Sequence, residues 1–165
     1  VEFLLQRTTL GRGLSGSIAY GYGLNRYHDY FTQESYWGDN DQRHTLNTYA
    51  VYTHSDRTSV VVKFRTGSNF PIPGYYTESS DGAFVIGAER NTARLPVYAR
   101  LDIRGNRTFS WSRHRVTLFA EVINVLNREN VRFVPPPVNT RLNIVGTPFE
   151  TMLPIVPSVG VLIEF

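Results

Sequence analysis

Cysteine is absent from this 165-residue chain, which removes disulfide scaffolds, thiolate metal sites and cysteine nucleophiles together. Lysine is nearly absent too: of seventeen basic residues only Lys63 is a lysine. The net charge of +3 and pI of about 9.3 are therefore arginine's, a side chain whose planar fork suits half-buried carboxylates and phosphates. These arginines are scattered through the chain without forming a basic patch or motif, so nucleic acid is not an expected partner. No apolar run approaches the roughly 18–20 residues of a membrane helix, and mean hydropathy is −0.25. That value would suit a soluble protein, but a membrane barrel also averages to neutral, because its strands alternate lipid-facing and lumen-facing residues. Methionine is confined to Met152, and no signal-peptide pattern follows Val1. Either a leader has been removed or a longer polypeptide has been cut, and the strand count below favours the second.

What the chain does hold is aromatic residues, 13% of the total, and runs of period two. Val1 to Thr8 sets Val1, Phe3 and Leu5 against Glu2, Leu4 and Gln6. Residues 14–26 set Leu14, Gly16, Ile18, Tyr20, Tyr22 and Leu24 against Ser15, Ser17, Ala19, Gly21, Gly23 and Asn25. The third run, 43–54, alternates without one clearly apolar side. In 58–67, Val60, Val62 and Phe64 oppose Val61, Lys63 and Arg65. In 98–109, Ala99, Leu101 and Ile103 oppose Arg100, Asp102, Arg104 and Asn106. In 115–125, Val116, Leu118, Ala120 and Val122 oppose Thr117, Phe119, Glu121 and Ile123. The last run, 157–165, sets Val159, Val161, Ile163 and Phe165 against Ser158, Gly160, Leu162 and Glu164. Such alternation reads as strands rather than helices. At roughly 8–13 residues the runs exceed ordinary globular strands and approach the length needed to cross a bilayer at a tilt.

The connections alternate short and long. Short ones fall at about 9–13, 55–57 and 110–114, long ones at 27–42, 68–97 and 126–156. Tight periplasmic turns and extended extracellular loops produce this rhythm in outer-membrane barrels, and it places Phe165 in the periplasm. Seven runs cannot close a normal even-numbered barrel, so further strands are expected to complete the wall. A strand hidden in 83–88 would make eight, at the expense of the loop rhythm.

Four stretches and the C-terminus resemble the C-terminal barrel portion of a TonB-dependent outer-membrane receptor. The Trp37-to-Asn47 stretch resembles the start of a barrel strand in that family, and Phe64-to-Pro71 the strand exit after it. Arg94-to-Arg104 resembles the next descending strand, and Leu118-to-Arg128 the penultimate one. Ser158, Gly160, Ile163 and Phe165 resemble the terminal signal for outer-membrane insertion. The resemblance implies an all-β fold, an antiparallel transmembrane β-barrel segment of about seven strands within a barrel of about 22. It implies one unit over residues 1–165 and, as partners, the remaining strands, a plug domain, TonB acting through the plug, lipid and lipopolysaccharide, and the barrel-assembly machinery. The chain departs from the family in having neither plug nor TonB box.

The polar row of Lys63, Arg65, Arg100, Asp102, Arg104 and Glu121 falls on one side of three strands. A charge at the lipid midplane costs about 2–4 kcal/mol for Arg or Lys, so this side is expected to face the lumen. Mutual ion pairing and plug docking are compatible roles for it. Tyr27, Tyr30, Trp37, Phe70, Tyr75 and Tyr76 in the long loops are candidates for stacking on a sugar or aryl ligand, although an interfacial girdle or packing between loops is the stronger reading. Asp39-Asn40-Asp41 resembles the opening of a calcium loop but lacks the glycine and glutamate that complete one. His28, His44, His54 and His114 are too dispersed for a zinc pattern, no serine lies in a nucleophile elbow, and Pro135-Pro136-Pro137 stiffens its loop. The expectation is thus a non-enzymatic chain without cofactor or metal, part of an importer of a scarce ligand of the siderophore, cobalamin or glycan class in the bacterial outer membrane. A scaffold derived from such a receptor is the alternative.

Overall fold

The computed structural model describes residues 1–165 except 112, 113 and 143, and the side chain of Ile144. Among the described residues there is no helix. β1 (Glu2–Arg7) and β2 (Gly13–Tyr22) form the first hairpin, and the loop after it carries a small hairpin of β3 (Arg26–His28) and β4 (Ser35–Trp37). β5 (His44–Ser55) and β6 (Thr58–Gly67) follow, then a loop containing β7 (Tyr76–Glu78) and β8 (Phe84–Ile86). β9 (Tyr98–Trp111) pairs with β10 (His114–Ile123). The third long loop holds β11 (Val131–Phe133), β12 (Val138–Asn139), β13 (Ile144–Val145) and β14 (Phe149–Thr151) before β15 (Val156–Glu164).

The seven long strands form one antiparallel meander, β1-β2-β5-β6-β9-β10-β15, matching the seven alternating runs of the sequence. Some ends differ. The second strand stops at Tyr22 rather than 26, because Asn25 turns into the loop layer and Arg26 begins the small hairpin. The sixth run ends at Ile123, where Asn124 takes a φ of 55° that a strand does not allow. The expected link over 110–114 shrinks, since Trp111 and His114 already pair; residues 112 and 113 lie outside the described residues. The stretch 83–88 supplies only β8, a three-residue strand within the loops, not an eighth member of the meander.

Register carries the faces across the sheet. Lys63 lies opposite Asp102, Arg65 opposite Arg100, and Arg104 opposite Glu121, so the six polar candidates share one side. The third run, indecisive in sequence, is resolved by its neighbours. Asn47, Tyr49 and Val51 join the polar face, while Leu46, Thr48, Ala50 and Tyr52 join the apolar one. That apolar face is uncovered: Leu118 is 45%, Val161 58% and Val159 83% exposed. Among the described residues no second layer lies behind the sheet. β1 and β15 are its edges, each paired on one side only among the described residues.

The buried residues lie instead in the long loops, where Ile72, Leu95 and Val145 are enclosed with Pro71 and Pro148. The loops are knit together, with Val145 of β13 pairing Phe84 of β8 and Phe149 meeting Phe84 edge-on at 6.1 Å. Their buried polar residues are mainly asparagines. Asn69, Asn91 and Asn124 adopt φ of 55°, 61° and 55°, a region asparagine tolerates better than most residues. Asn130 uses both ends of its amide on Ala99, donating to its carbonyl and accepting from its N–H, each at 2.9 Å, and so stands in for a neighbouring strand at the top of β9.

Gly160 on β15 is a close approach. A Cβ there would lie 2.3 Å from the Phe119 ring, which covers the glycine from β10. Substituting Gly160→Val is expected to displace that ring and lower stability by about 1–3 kcal/mol. Gly105→Ala, where an added Cβ meets nothing within 4 Å, should shift it by less than about 0.5 kcal/mol. Urea midpoints of the two variants check this.

Candidate functional site

Two surfaces hold the candidate residues: the polar face of the sheet and the loop layer above it. On the polar face Arg100 grips Asp102 with two nitrogens, Nε to Oδ1 at 2.8 Å and Nη2 to Oδ2 at 2.7 Å. Asp102 also accepts the Asn124 N–H at 2.9 Å, fixing the end of β10 against β9. The expected mutual pairing goes no further along this row. Arg104 lies 3.8 Å from the centroid of Phe119 and donates to Asn106 at 2.8 Å rather than to Glu121. Lys63, Arg65, Arg104 and Glu121 have no ion pair among the described residues, which leaves a surplus of positive charge. A cavity of about 370 Å³ opens beside Tyr49, Lys63, Arg65, Tyr98, Arg100 and Asp102.

In the loop layer Asp39-Asn40-Asp41, already set apart from a complete calcium loop by its sequence, ties the loops together. Asp41 is buried and accepts the Asn25 N–H at 2.8 Å and Arg43 Nε at 3.3 Å. Arg94, from the second long loop, donates to both its carboxylate and its carbonyl oxygen. Burial pushes the Asp41 carboxyl upward, but the Asn25 N–H and the two guanidinium groups outweigh it and hold it below the usual carboxylate value. Asn91 makes the second tie, donating to the Trp37 carbonyl at 2.6 Å and to Asp39 at 2.7 Å while accepting the Gly74 N–H at 2.9 Å. A third is the Tyr75 hydroxyl, which donates to Glu34 at 3.0 Å and is pushed up by that carboxylate. Among the described residues no group of three metal-ligating side chains forms.

The six aromatic candidates separate. Tyr27 and Phe70 face one groove of about 520 Å³, completed by Tyr36, Asp39, Asn40 and Arg90. Trp37 is occupied structurally, with Arg43 and Arg26 at 4.3 and 5.4 Å from its ring. Tyr75 is committed to Glu34, Tyr76 packs beneath Gly74, and Tyr30 projects into solvent against His28. Tyr36 and Arg90 were not singled out by sequence. Tyr36 had a signal, lying within the aromatic loop two residues before the glycine turn; Arg90 had none.

Beneath the groove is a second cavity of about 390 Å³, sharing Asp39 and Phe70 with it and enclosed by Pro71, Pro73, Leu95 and Phe133. Arg65 and Tyr98 in turn belong both to this cavity and to the one on the polar face. Three cavities thus adjoin in series from the loop surface to the sheet. The terminal candidates divide between faces: Ser158 and Gly160 lie on the polar side, whereas Ile163 and Phe165 lie on the apolar side, Phe165 edge-on to His114 at 5.5 Å. No family model, no curated protein and no solved structure matches the chain.

The Asp41 clamp makes a pH-dependent prediction. Its folded-state pKa lies below the unfolded one, so its stabilisation is complete above the ordinary carboxylate range and is lost as pH falls through the depressed value. Asp41→Asn should cost about 1.5–3 kcal/mol at neutral pH and remove part of the acid-induced loss. Denaturation followed by Trp37 emission in a Trp111→Phe background, at pH 7 and pH 3, measures both.

Proposed function

We propose that this chain is wall and external-loop layer of an outer-membrane active transporter of the TonB-dependent receptor class, importing a scarce ligand. The observation that carries this reading is the two-faced sheet. Seven long strands expose an uncovered apolar face, while the charged row lies wholly on the other side. In water such a face would be a large aggregation surface, whereas in hydrocarbon it is the solvated one. Arg7 and Arg107 do occur on the apolar side, but in the half of the sheet nearer the short turns, from which their long stems can reach the interface.

Aromatic rings on the apolar face gather toward its two ends. Tyr20, Tyr22 and Phe64 lie toward the loops, and Tyr52, Phe109 and Trp111 toward the turns. Phe64 pairs opposite Leu101, and from Leu101 to Phe109 the strand runs roughly 27 Å, or about 20 Å along a membrane normal at the usual tilt. That separation fits girdles at two interfaces. The one-sided pairing of β1 and β15 supports further strands as neighbours, because an unpaired edge in lipid leaves backbone groups unsatisfied at several kcal/mol each. The unpaired cations Lys63, Arg65 and Arg104 suit an acidic surface docking inside the barrel, the role a plug would fill. Energy would come from TonB through that plug, and nothing in the reading assigns catalysis to this chain.

Ile103→Arg, on the apolar face near the middle of β9, is expected to cost about 2–4 kcal/mol and to reduce the heat-resistant, outer-membrane-inserted form. Ser59→Arg on the polar face should leave insertion unchanged. Equal tolerance of both substitutions in outer-membrane fractions would overturn the reading.

A further inference from the structure

We infer that the loop groove and the cavity beneath it form two consecutive subsites for a neutral oligosaccharide, with Phe70 as the wall between them. This deepens the transport reading and rests on it. The chemistry of the lining points to a sugar. Tyr27 and Tyr36, with ring centroids 6.0 Å apart, and Phe70 offer aromatic surface for the apolar C–H faces of pyranose rings. Asp39, Asn40 and Arg90 stand at the same groove with acceptors and donors for hydroxyls, which are both donor and acceptor themselves.

The charge balance narrows the class. Arg90 is the groove's one cation among the described lining residues and pairs with Asp39 at 3.4 Å, leaving no net charge to attract a polyanion. Arg90 also lies 4.7 Å from the Tyr36 ring, which orients the tyrosine at the groove's rim. An acidic ligand or a ferric catecholate would seek unpaired cations; the groove offers none among its described lining residues, Arg65 stands in the second cavity where it borders the polar-face one, and Lys63 lies beyond it. Continuity gives the second subsite. Asp39 and Phe70 border both cavities, so a chain of several sugars can lie across Phe70 with units on either side.

The loop layer is preorganised for this. Asp39 is held by Asn91, and the backbone near Phe70 is tied through Asn69, which donates to the Pro96 carbonyl at 2.9 Å and accepts the Phe70 N–H at 2.9 Å. Gly38 allows the close approach, since a Cβ there would lie 2.7 Å from the Tyr27 ring. Binding then orders few protein groups, which favours affinity.

The test uses the intact protein in detergent, with calorimetry against neutral α- and β-glucan oligosaccharides of two to seven units. Oligogalacturonates and a ferric catecholate serve as acidic probes. The expected result is saturable binding of a neutral glucan that strengthens with length. Tyr27→Ala should weaken it at least tenfold for all lengths, while Phe70→Leu should weaken the long ligands more than the short ones. Tyr27 is half exposed, so its variant should fold, and circular dichroism verifies this for both. Binding only of the acidic probes, binding of no probe, or a loss independent of length in Phe70→Leu would overturn the inference. A separate heat-modifiability assay keeps the two readings apart. A membrane-inserted protein that ignores neutral glucans sinks the sugar subsites alone, whereas a protein that never inserts sinks the transporter reading.

Discussion

The sheet depends on the alternation of side chains across an antiparallel ladder that keeps its register but for one shift between Thr53 and Ser55. Each strand presents one row to each face, and a slip of one residue would exchange the rows completely. The pairing of Lys63 with Asp102, of Arg104 with Glu121, and of Val62 with Ile103 keeps like faces together through successive strands. Because no covering layer lies on the sheet among the described residues, its stability does not come from a core between two layers. Backbone pairing, same-face contacts and the solvent on the apolar side must supply it. The Gly160–Phe119–Arg104 stack shows how the polar face adapts: a glycine admits a ring, and the ring carries a cation.

The loop layer obeys another rule. Its enclosed space is small, and side-chain amides and the buried Asp41 carboxylate hold it together with Ile72, Leu95 and Val145. Asparagine suits this work because one amide can donate twice and accept twice while the backbone enters the left-handed region. Asp41 with Arg94 and Asn91 with Trp37 join the first loop to the second, and the Val145–Phe84 pairing joins the second to the third. These ties fix the loop layer as one body. Three cavities adjoin there, sharing Asp39 and Phe70 at one border and Arg65 and Tyr98 at the next.

The meander itself was legible in the sequence to within a few residues, since apolar and polar positions alternate wherever one face is apolar. The third run was ambiguous because Thr48, Ala50 and Asn47 carry little contrast, and only its partners' register assigned its faces. Apart from the stretch 83–88, the loop strands escaped because two- and three-residue strands are too short to show a period. The aromatic candidates were half legible. Tyr27 and Phe70 do share a groove, but nothing local distinguishes them from Trp37, which two arginines occupy, or from Tyr75, which Glu34 occupies.

By itself, then, the order of residues determined the all-β character, the seven strands, their antiparallel sequence and the single charged side, because these follow from period two and from connection length. Tertiary structure alone decided that Asp41 is a clamp between loops, that among the described residues the polar row holds the one ion pair of Arg100 and Asp102, and that Arg90 reaches Tyr36 and Asp39. The first and last depend on where residues some fifty positions apart along the chain meet across folded loops, whose paths are set by many weak hydrogen bonds acting jointly, and the second on a choice among neighbouring partners along one strand; no local pattern records either.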